Sequence, residues 1–382
     1  MTGRATSPLR IAMMVSGPGI NGAIVHTLLL TRFLARRGHK VLLLHRPDAW
    51  IAQQSGLNEV ELFATSFGRA PRELIRVARR LNAFGAEVVH THMSSAHSYG
   101  MLTRILSHRP VVATAHSQSV QLHWMFNNIV IATSSGAAEH HRRRNRVASS
   151  ALRVQANFIE TTSFPQTTAN RRAAARTEFG FGEDDFVIGS VGFIDDRKNQ
   201  LDLAQALGEI VRKVPSAKLL LVGGEDQNYG AEIRRTAERL GVAGHIVFTG
   251  ARQDIPHLLA AMDTVALVSR KEAGPLAVLE AMSTGLPVLA TNVGMLPEFV
   301  HDGIGGHIVD VGDIAAIADR LIRLALDPEM RGEMGTAAAA IARDDYDIEI
   351  GGPKVETILR EAAQIKNRSP LGFLAGLCGK DS

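Results

Sequence analysis

A chain of 382 residues is too long for one hydrophobic core and suits two domains of about 150–200 residues each. With 45% hydrophobic and 21% charged residues it has the composition of an ordinary globular protein, and no apolar stretch approaches the roughly 20 residues of a membrane span. The net charge of +4 hides a division: Lys and Arg outnumber Asp and Glu by 22 to 7 up to Arg176, and acids outnumber bases by 31 to 20 beyond it. The two halves are therefore expected to meet different partners or to face each other across a cleft.

In chain order, LRIAMMV (9–15) reads as a strand. Its apolar core, Ile11 to Val15, is too short for a signal peptide. A glycine loop, GPGING (17–22), follows, then a helix over 23–38 ending in Gly38. HKVLLLH (39–45) is the next strand and 71–85 a helix, again closed by glycine. EVVHTH (87–92), PVVATAH (110–116) and NIVIATS (128–134) are apolar runs ending in polar residues, the pattern of parallel strands buried on both faces. The second half restarts this alternation. Strands are predicted at 185–192, 217–224, 245–250, 264–269 and 286–291, with helices at 199–213, 230–241 and 275–283; beyond 312 the chain reads as almost entirely helical. Such alternation predicts an α/β chain with a doubly wound parallel sheet in each half. The polar, Pro-interrupted TTSFPQTTAN (161–170) marks the boundary, giving domains at 1–165 and 166–345 and a helix and tail at 346–382 that is expected to cross back to the first domain. The lone cysteine, Cys378, excludes an intrachain disulfide and suits a reducing, cytoplasmic setting.

One segment carries chemistry. KEAGPLAVLEAMSTGLPVLAT (271–291) places Glu272 in the loop leaving a strand and Glu280 eight positions on, inside an apolar helix. In doubly wound sheets ligands bind beyond the carboxyl ends of the strands. Pro275 reads as the first residue of the helix, since it lacks the N–H that would be unpaired there. The free N–H groups of that helix tip are suited to a phosphate. Glu280 lies about 7 Å further along by helix rise. Between Val278, Leu279 and Met282, its carboxylate needs water, a cation or ligand hydroxyls. A nucleotide-sugar, with sugar, diphosphate and ribose in a row, has this layout.

The stretch 269–310 resembles the signature of the retaining glycosyltransferases of family 4, whose E-x7-E motif matches Glu272 and Glu280. VGFIDDRKNQ (191–200), NFIE (157–160), VVHTHM (88–93) and VVATAHS (111–117) are similar to further family segments, so the likeness spans nearly the whole chain. It implies a GT-B fold: two Rossmann-like doubly wound parallel-sheet domains facing a cleft. It further implies that Glu272 bonds the hydroxyls of the donor sugar and Glu280 those of the ribose. The backbone at Gly274, Pro275 and Leu276 would approach sugar and phosphate, and Lys198 would neutralise the departing diphosphate, with Arg197 as a second cation. His116 matches a histidine beside the reacting carbon. Asn21 and Gly22 belong to the glycine loop, Gly22 toward the diphosphate and Asn21, with His92, toward the acceptor. This chain departs from the family in three places. Phe193 stands where an arginine is usual, EAGP replaces the usual Glu-Gly-Phe-Gly turn, and Ile24 replaces an acid.

The expected reaction moves a sugar from a nucleoside-diphosphate donor to a hydroxyl of a glycan or glycolipid, in assembly of bacterial lipopolysaccharide or surface polysaccharide. A same-face mechanism is what the resemblance implies for stereochemistry. No cofactor or metal requirement is expected, because a lysine and a helix dipole supply the positive charge. A nucleotide-sugar epimerase of the same fold, a transferase acting on a small metabolite and a non-catalytic nucleotide-sugar-binding partner are the alternatives.

His90, His92 and His97 have spacings open to a metal, but no cysteine or nearby carboxylate completes a set, and a cleft-lining role is preferred. The basic run HHRRRNR (140–146) lacks interleaved aromatics, which argues against nucleic acid. It reads as a solvated face or, with Arg72, Arg76, Arg79 and Arg80 on one helix face, as attraction to an anionic acceptor or peripheral contact with an anionic membrane on its inner side. GSVGFI (189–194) and LVGGED (221–226) are not G-x-G-x-x-G fingerprints, so a dinucleotide oxidoreductase is poorly supported. The apolar PLGFLAGL (370–377) reads as packing on the first domain or touching a membrane.

Overall fold

The computed structural model describes residues 7–365; Cys378 and the segment 370–377 lie outside the described residues. Contacts divide the chain into two units, Phe158–Asp347 and a unit made of everything before and after it.

In chain order the first unit contains β1 (Arg10–Val15), α1 (Gly22–Arg36), β2 (Lys40–His45), β3 (Val60–Ala64), α2 (Pro71–Phe84), β4 (Val88–His92), α3 (Ser94–Ser107), β5 (Val111–Ala115), β6 (Ile129–Ala132), α4 (Ser135–Arg144) and β7 (Leu152–Val154). Its seven strands pair in parallel in the order β3-β2-β1-β4-β5-β6-β7. The order reverses between β1 and β4, so the switch point where ligands bind in such sheets lies at the ends of these two strands. β4, β5 and β6 are buried along their whole length, as their unbroken apolar runs require.

The second unit contains α5 (Ala169–Phe179), β8 (Phe186–Val191), α6 (Gln200–Lys213), β9 (Ala217–Val222), α7 (Gln227–Arg239), β10 (Ile246–Phe248), α8 (Ile255–Ala260), β11 (Thr264–Leu267), α9 (Leu276–Ser283), β12 (Val288–Thr291), α10 (Leu296–Val300), β13 (Gly306–Val309), α11 (Ile314–Leu326) and α12 (Pro328–Tyr346). Its six-stranded sheet, also parallel throughout, runs β10-β9-β8-β11-β12-β13, and its switch point lies between β8 and β11. Leu203, Leu207 and Ile210 of α6, with Leu321 and Leu324 of α11, pack into one core with Ile188, Leu219 and Leu221 of the sheet.

The second unit begins at Phe158 rather than 166. Ile159 donates its N–H to the Tyr346 carbonyl at 3.0 Å, and Asp347 accepts from the Thr161 N–H, also at 3.0 Å. These bonds tie the polar, Pro-interrupted stretch to the end of α12. The chain leaves this unit at Asp347, two residues beyond the expected 345. The next helix, α13 (Ile348–Ala363), belongs to the first unit. Gly352 lies against Phe33 of α1 so closely that a Cβ would come within 2.7 Å of the ring. Glu356 sits 3.3 Å from His39 and 3.2 Å from Arg37, and Arg360 bonds both Glu356 and the Ser7 carbonyl.

A buried charge cluster ties α5 to the second sheet. Asp263, just ahead of β11, accepts from Arg176 at 2.7 Å, Arg172 at 2.6 Å and the Val187 N–H at 2.8 Å. Asp263→Ala strands the buried Arg176 guanidinium and is expected to destabilise the second unit by about 3–5 kcal/mol. Denaturant unfolding checks this; a change under about 1 kcal/mol would show that Arg176 finds water instead.

Candidate nucleotide-sugar site

Both loops at the second switch point converge. β8 leads into the stretch Gly192–Asn199, and β11 leads into Val268–Pro275. The Arg270 N–H donates to the Arg197 carbonyl at 2.9 Å, joining the two loops by their backbones. Asn199, buried and in the left-handed region at φ 59°, starts α6 and donates to Asp202 at 2.5 Å and to the Val268 carbonyl at 3.3 Å. Asp195 accepts from the Lys198 N–H at 2.8 Å. Lys198 is thereby presented from a locked turn.

Its ammonium meets Glu272 at 2.7 Å, and both side chains are about nine-tenths buried. Glu272 also accepts from Ser269 Oγ at 2.9 Å and pairs with Arg197 at 3.2 Å. A carboxylate with three donors in a largely dry setting is held in one place. Gly294 makes that loop position attainable: at φ 57° its missing Cβ would fall 1.9 Å from the Glu272 carbonyl oxygen. Lys198, Arg197 and Glu272 are thus brought together. Ser269, Asn199 and Gly294, which support them, carry no motif of their own in the sequence. Phe193 is half exposed, and Arg197 is the second cation at Glu272.

Pro275 is the residue capping α9, not its first residue, and extended backbone (φ −73°, ψ 123°) turns the chain into a helix that starts at Leu276. The helix ends at Ser283, with Gly285 two residues later in the left-handed region at φ 85°. Glu280, the fifth helical residue, is partly buried among Val278, Leu279, Ala281 and Met282, and its carboxylate makes no hydrogen bond among the described residues. With no counter-charge beside it, burial pushes its pKa up to about 7.

In the first unit, His92 closes β4, His116 follows β5 and His26 lies on α1. His92 Nδ1 and His116 Nε2 are 3.0 Å apart, and the His26 ring centroid is 5.1 Å from that of His116. His90 Nε2 meets Thr114 Oγ1 at 2.7 Å, whereas His97 is on α3, bonded to Thr91 Oγ1 at 2.8 Å and packed on Trp124. The three histidines grouped by sequence spacing therefore do not form one set. Asn21 caps α1, accepting from the Ile24 N–H at 3.1 Å, and Gly22 is that helix's first residue. Ile24 is fully buried under Gly17, where an added Cβ would clash with Ile24 Cδ1 at 2.4 Å; the residue replacing an acid is a packing residue. A depression of about 520 Å³ at the ends of β1 and β4 is lined by Ser16, Gly17, Arg46, Met93, Ser94 and Ser95.

The basic run 140–146 is the end of α4 and its exit rather than a uniformly solvated patch. His141 and Asn145 are buried, bonding the carbonyls of Ser117 (3.2 Å) and Ser119 (2.9 Å), while Arg142 and Arg143 both pair with Glu139. On α2, Arg76 pairs with Glu73 and Arg80 with Glu61, while Arg72 and Arg79 are exposed to solvent.

Two family models match, described as glycosyl transferases group 1 over residues 171–340 and glycosyltransferase family 4 over residues 20–163. The chain belongs to glycosyltransferase family 4. Among the relatives of this family 4 chain, N-acetyl-alpha-D-glucosaminyl L-malate synthase of Bacillus anthracis is 33% identical over 183 residues, covering 48% of this chain and 47% of that protein. The GDP-mannose-dependent alpha-(1-6)-phosphatidylinositol monomannoside mannosyltransferase of Mycolicibacterium smegmatis is 35% identical over 205 residues, covering 50% and 53%. The chain thus spans about half the length of the curated relatives it matches. A crystal structure of Anabaena HepE, in complex with UDP and glucose, superposes with a TM-score of 0.83 at 23% identity over 92% of this chain and 100% of that one. That likeness establishes the fold: the two parallel-sheet units are those of GT-B glycosyltransferases.

The raised carboxyl of the second family 4 glutamate has a stability signature. An acid whose folded pKa lies above its unfolded value favours the native state when protonated. That stability is complete below about 4.5 and is lost as pH rises toward about 7. Glu280→Gln is expected to stabilise the second unit at pH 8 by about 2 kcal/mol, after discounting for partial contact with water, and to change nothing at pH 4.5. Thermal melts at the two pH values check this, and equal melts at pH 8 would refute it.

Proposed function

We propose that this family 4 chain is a retaining glycosyltransferase that moves a sugar from a nucleoside-diphosphate donor to a hydroxyl of a glycan or glycolipid, in the assembly of lipopolysaccharide or surface polysaccharide at the inner face of the cytoplasmic membrane. The observation that carries this reading is the buried Lys198–Glu272 pair at the switch point of the second sheet, flanked by Arg197, with the unpartnered Glu280 carboxylate eight residues on. Glu272 holds Lys198 in place before any ligand arrives. A diphosphate seated at the start of α9 would share that ammonium, and the charge that grows on the leaving phosphate would strengthen the contact. The raised pKa of Glu280 suits a group that bonds paired ribose hydroxyls, whose donors would replace lost water. Gly274, Pro275 and Leu276 would give close backbone approach to the sugar and phosphates. In the first unit, His116 would serve the reacting sugar, Gly22 the diphosphate, and Asn21 and His92 the acceptor. The roles of donor and phosphate cations need no metal in this reading.

The UDP and glucose bound by HepE in one structure, the UDP-glucose bound in another, and the GDP-mannose named for the mycobacterial relative support a nucleotide-sugar co-substrate. The phosphatidylinositol mannoside named there supports a lipid-linked acceptor. Among the described residues no helix is long and apolar enough to cross a membrane. Membrane contact in this reading would be peripheral, through exposed bases such as Arg72 and Arg79. The test is a panel of UDP-, GDP- and ADP-sugars incubated with the protein. One donor should release its nucleoside diphosphate slowly in the absence of acceptor. An isomerised sugar still attached to its nucleotide would replace transfer by epimerisation, and stabilisation without turnover would make the chain a binding partner.

A further inference from the structure

The transfer reading assigns separate tasks to His92 and His116 and none to His26. Yet one ring nitrogen of each lies within 4.8 Å of one on both others. We infer that His26, His92 and His116 form a three-imidazole site for a divalent cation of the zinc class.

The three ligands come from three elements that the fold brings to one place: α1, the end of β4 and the residue after β5. Parallel pairing of β4 with β5 sets His92 beside Thr114, so the two strand ends present His92 and His116 side by side. α1 then lays His26 across them, with ring centroids 6.1 Å from His92 and 5.1 Å from His116. Zinc held by imidazole at about 2.0–2.1 Å in a tetrahedron places neighbouring nitrogens about 3.3 Å apart. His92 Nδ1 and His116 Nε2 already stand at 3.0 Å. A small opening of the trio would admit the ion, which would replace a histidine–histidine hydrogen bond by two metal bonds.

The chemistry of the donors selects the ion. All three are neutral nitrogen ligands, which suit zinc, cobalt, nickel or copper and not magnesium or calcium, which want oxygen. Burial holds His26 and His92 well below 6.5 and His116 at about 4, so the rings are neutral at neutral pH, and a tautomer shift of whichever ring donates in the His92–His116 hydrogen bond turns its N–H into a lone pair for the ion. His26 and His92 are buried and His116 is partly exposed, so the ion has an entry side and room for water as a fourth ligand. Behind the trio, His90 packs against His92 with centroids 4.3 Å apart and planes inclined at 49°, and is itself fixed by Thr114 Oγ1, which limits the swing of the His92 ring. The site uses His26 and His92 with His116, not the sequence-spaced His90 and His97.

The proposal stands apart from transfer, because binding is read without donor or acceptor. Untagged full-length protein, stripped with chelator, is titrated with zinc chloride in a calorimeter. One equivalent is expected, magnesium should give no heat, and affinity should fall at least tenfold in His26→Ala and in His92→Gln but not in the exposed control His301→Asn. Binding below a tenth of an equivalent, or full binding by both cluster variants, overturns the site. If a variant does not fold, the wild-type protein loaded with cobalt(II) decides: intense visible bands of tetrahedral coordination support the trio, and the weak spectrum of an octahedral aquo ion refutes it.

Discussion

Lowering the pH from 7.5 toward 5 is expected to unfold the first unit while the second persists. The first unit contains His26, His92 and His97, all held well below 6.5, His90 at about 3, and His116 and His141 at about 4. Burial is the leading cause in each case, and in most the neighbouring histidines add to it, because a second positive charge in the same cluster is opposed by the first. The unfolded chain takes up protons on these rings near pH 6.5 and the folded one refuses them. Stability is therefore complete above about 6.5 and falls as pH drops toward the folded values. Each refused proton costs about 1.4 kcal/mol per pH unit, so even three such rings remove about 4 kcal/mol per unit, against a typical total of about 5–15 kcal/mol. Both tryptophans, Trp50 and Trp124, lie in the first unit, and Trp124 is buried against His97 and His141. The wavelength of their emission maximum, rather than its intensity, reports this unit alone. A red shift below about pH 6 with much of the far-ultraviolet helix signal retained is the expected result. An emission maximum unmoved at pH 4.5 would mean that the rings are reached by water. Glu280 in the second unit has the opposite dependence, so the two units should separate as the solution is acidified.

Lys198→Ala is expected to reduce turnover of the donor about 10²–10³-fold while the protein stays folded, because removing one preorganised positive donor from a dry site costs that much. Glu272 would keep Ser269 and Arg197 as partners, so its carboxylate is not stranded and the melting temperature should hold within a few degrees. Arg197 is about half exposed, and Arg197→Ala should cost less, since water screens its charge. Single-turnover rates with and without acceptor, together with melts of each variant, make the comparison. A Lys198→Ala protein with near-normal turnover would remove the ammonium from the transition state and leave it a merely structural ion pair with Glu272.

How much of this could be read beforehand follows from which residues interact locally. The central strands announced themselves because both faces are buried, as in VVATA of β5 and IVIA of β6. The edge strands β3 and β7, and the outer strand β13, escaped. VELFA is buried only at Val60, LRV is three residues long, and GHIV begins at a glycine. α3 and α4 escaped as well: Ser-Ser-Ala-His-Ser-Tyr-Gly and the histidine–arginine run of α4 have weak helical patterns, and tertiary packing of Tyr99 and His141 decides their state. At the site, Glu272 and Glu280 stood out through their spacing and surroundings, and Lys198 and Arg197 only through the resemblance to family 4. Gly294 and Asn199 were not, since each acts on a loop distant in sequence. His26 gave no signal at all, sitting in an apolar helix far from the two histidines it meets.

The return of α13 to the first unit also fixes an order of events at the ribosome. The seven-stranded sheet is synthesised first, but Phe33 of α1 lacks the Gly352 contact, and His39 lacks Glu356, until nearly 200 further residues have emerged. The second unit, contiguous from Phe158 to Asp347, has all of its parts before the first does. The nascent amino-terminal half must wait with one flank of α1 bare, and a stop codon just after Asp347 would cost it more than the half that precedes the stop.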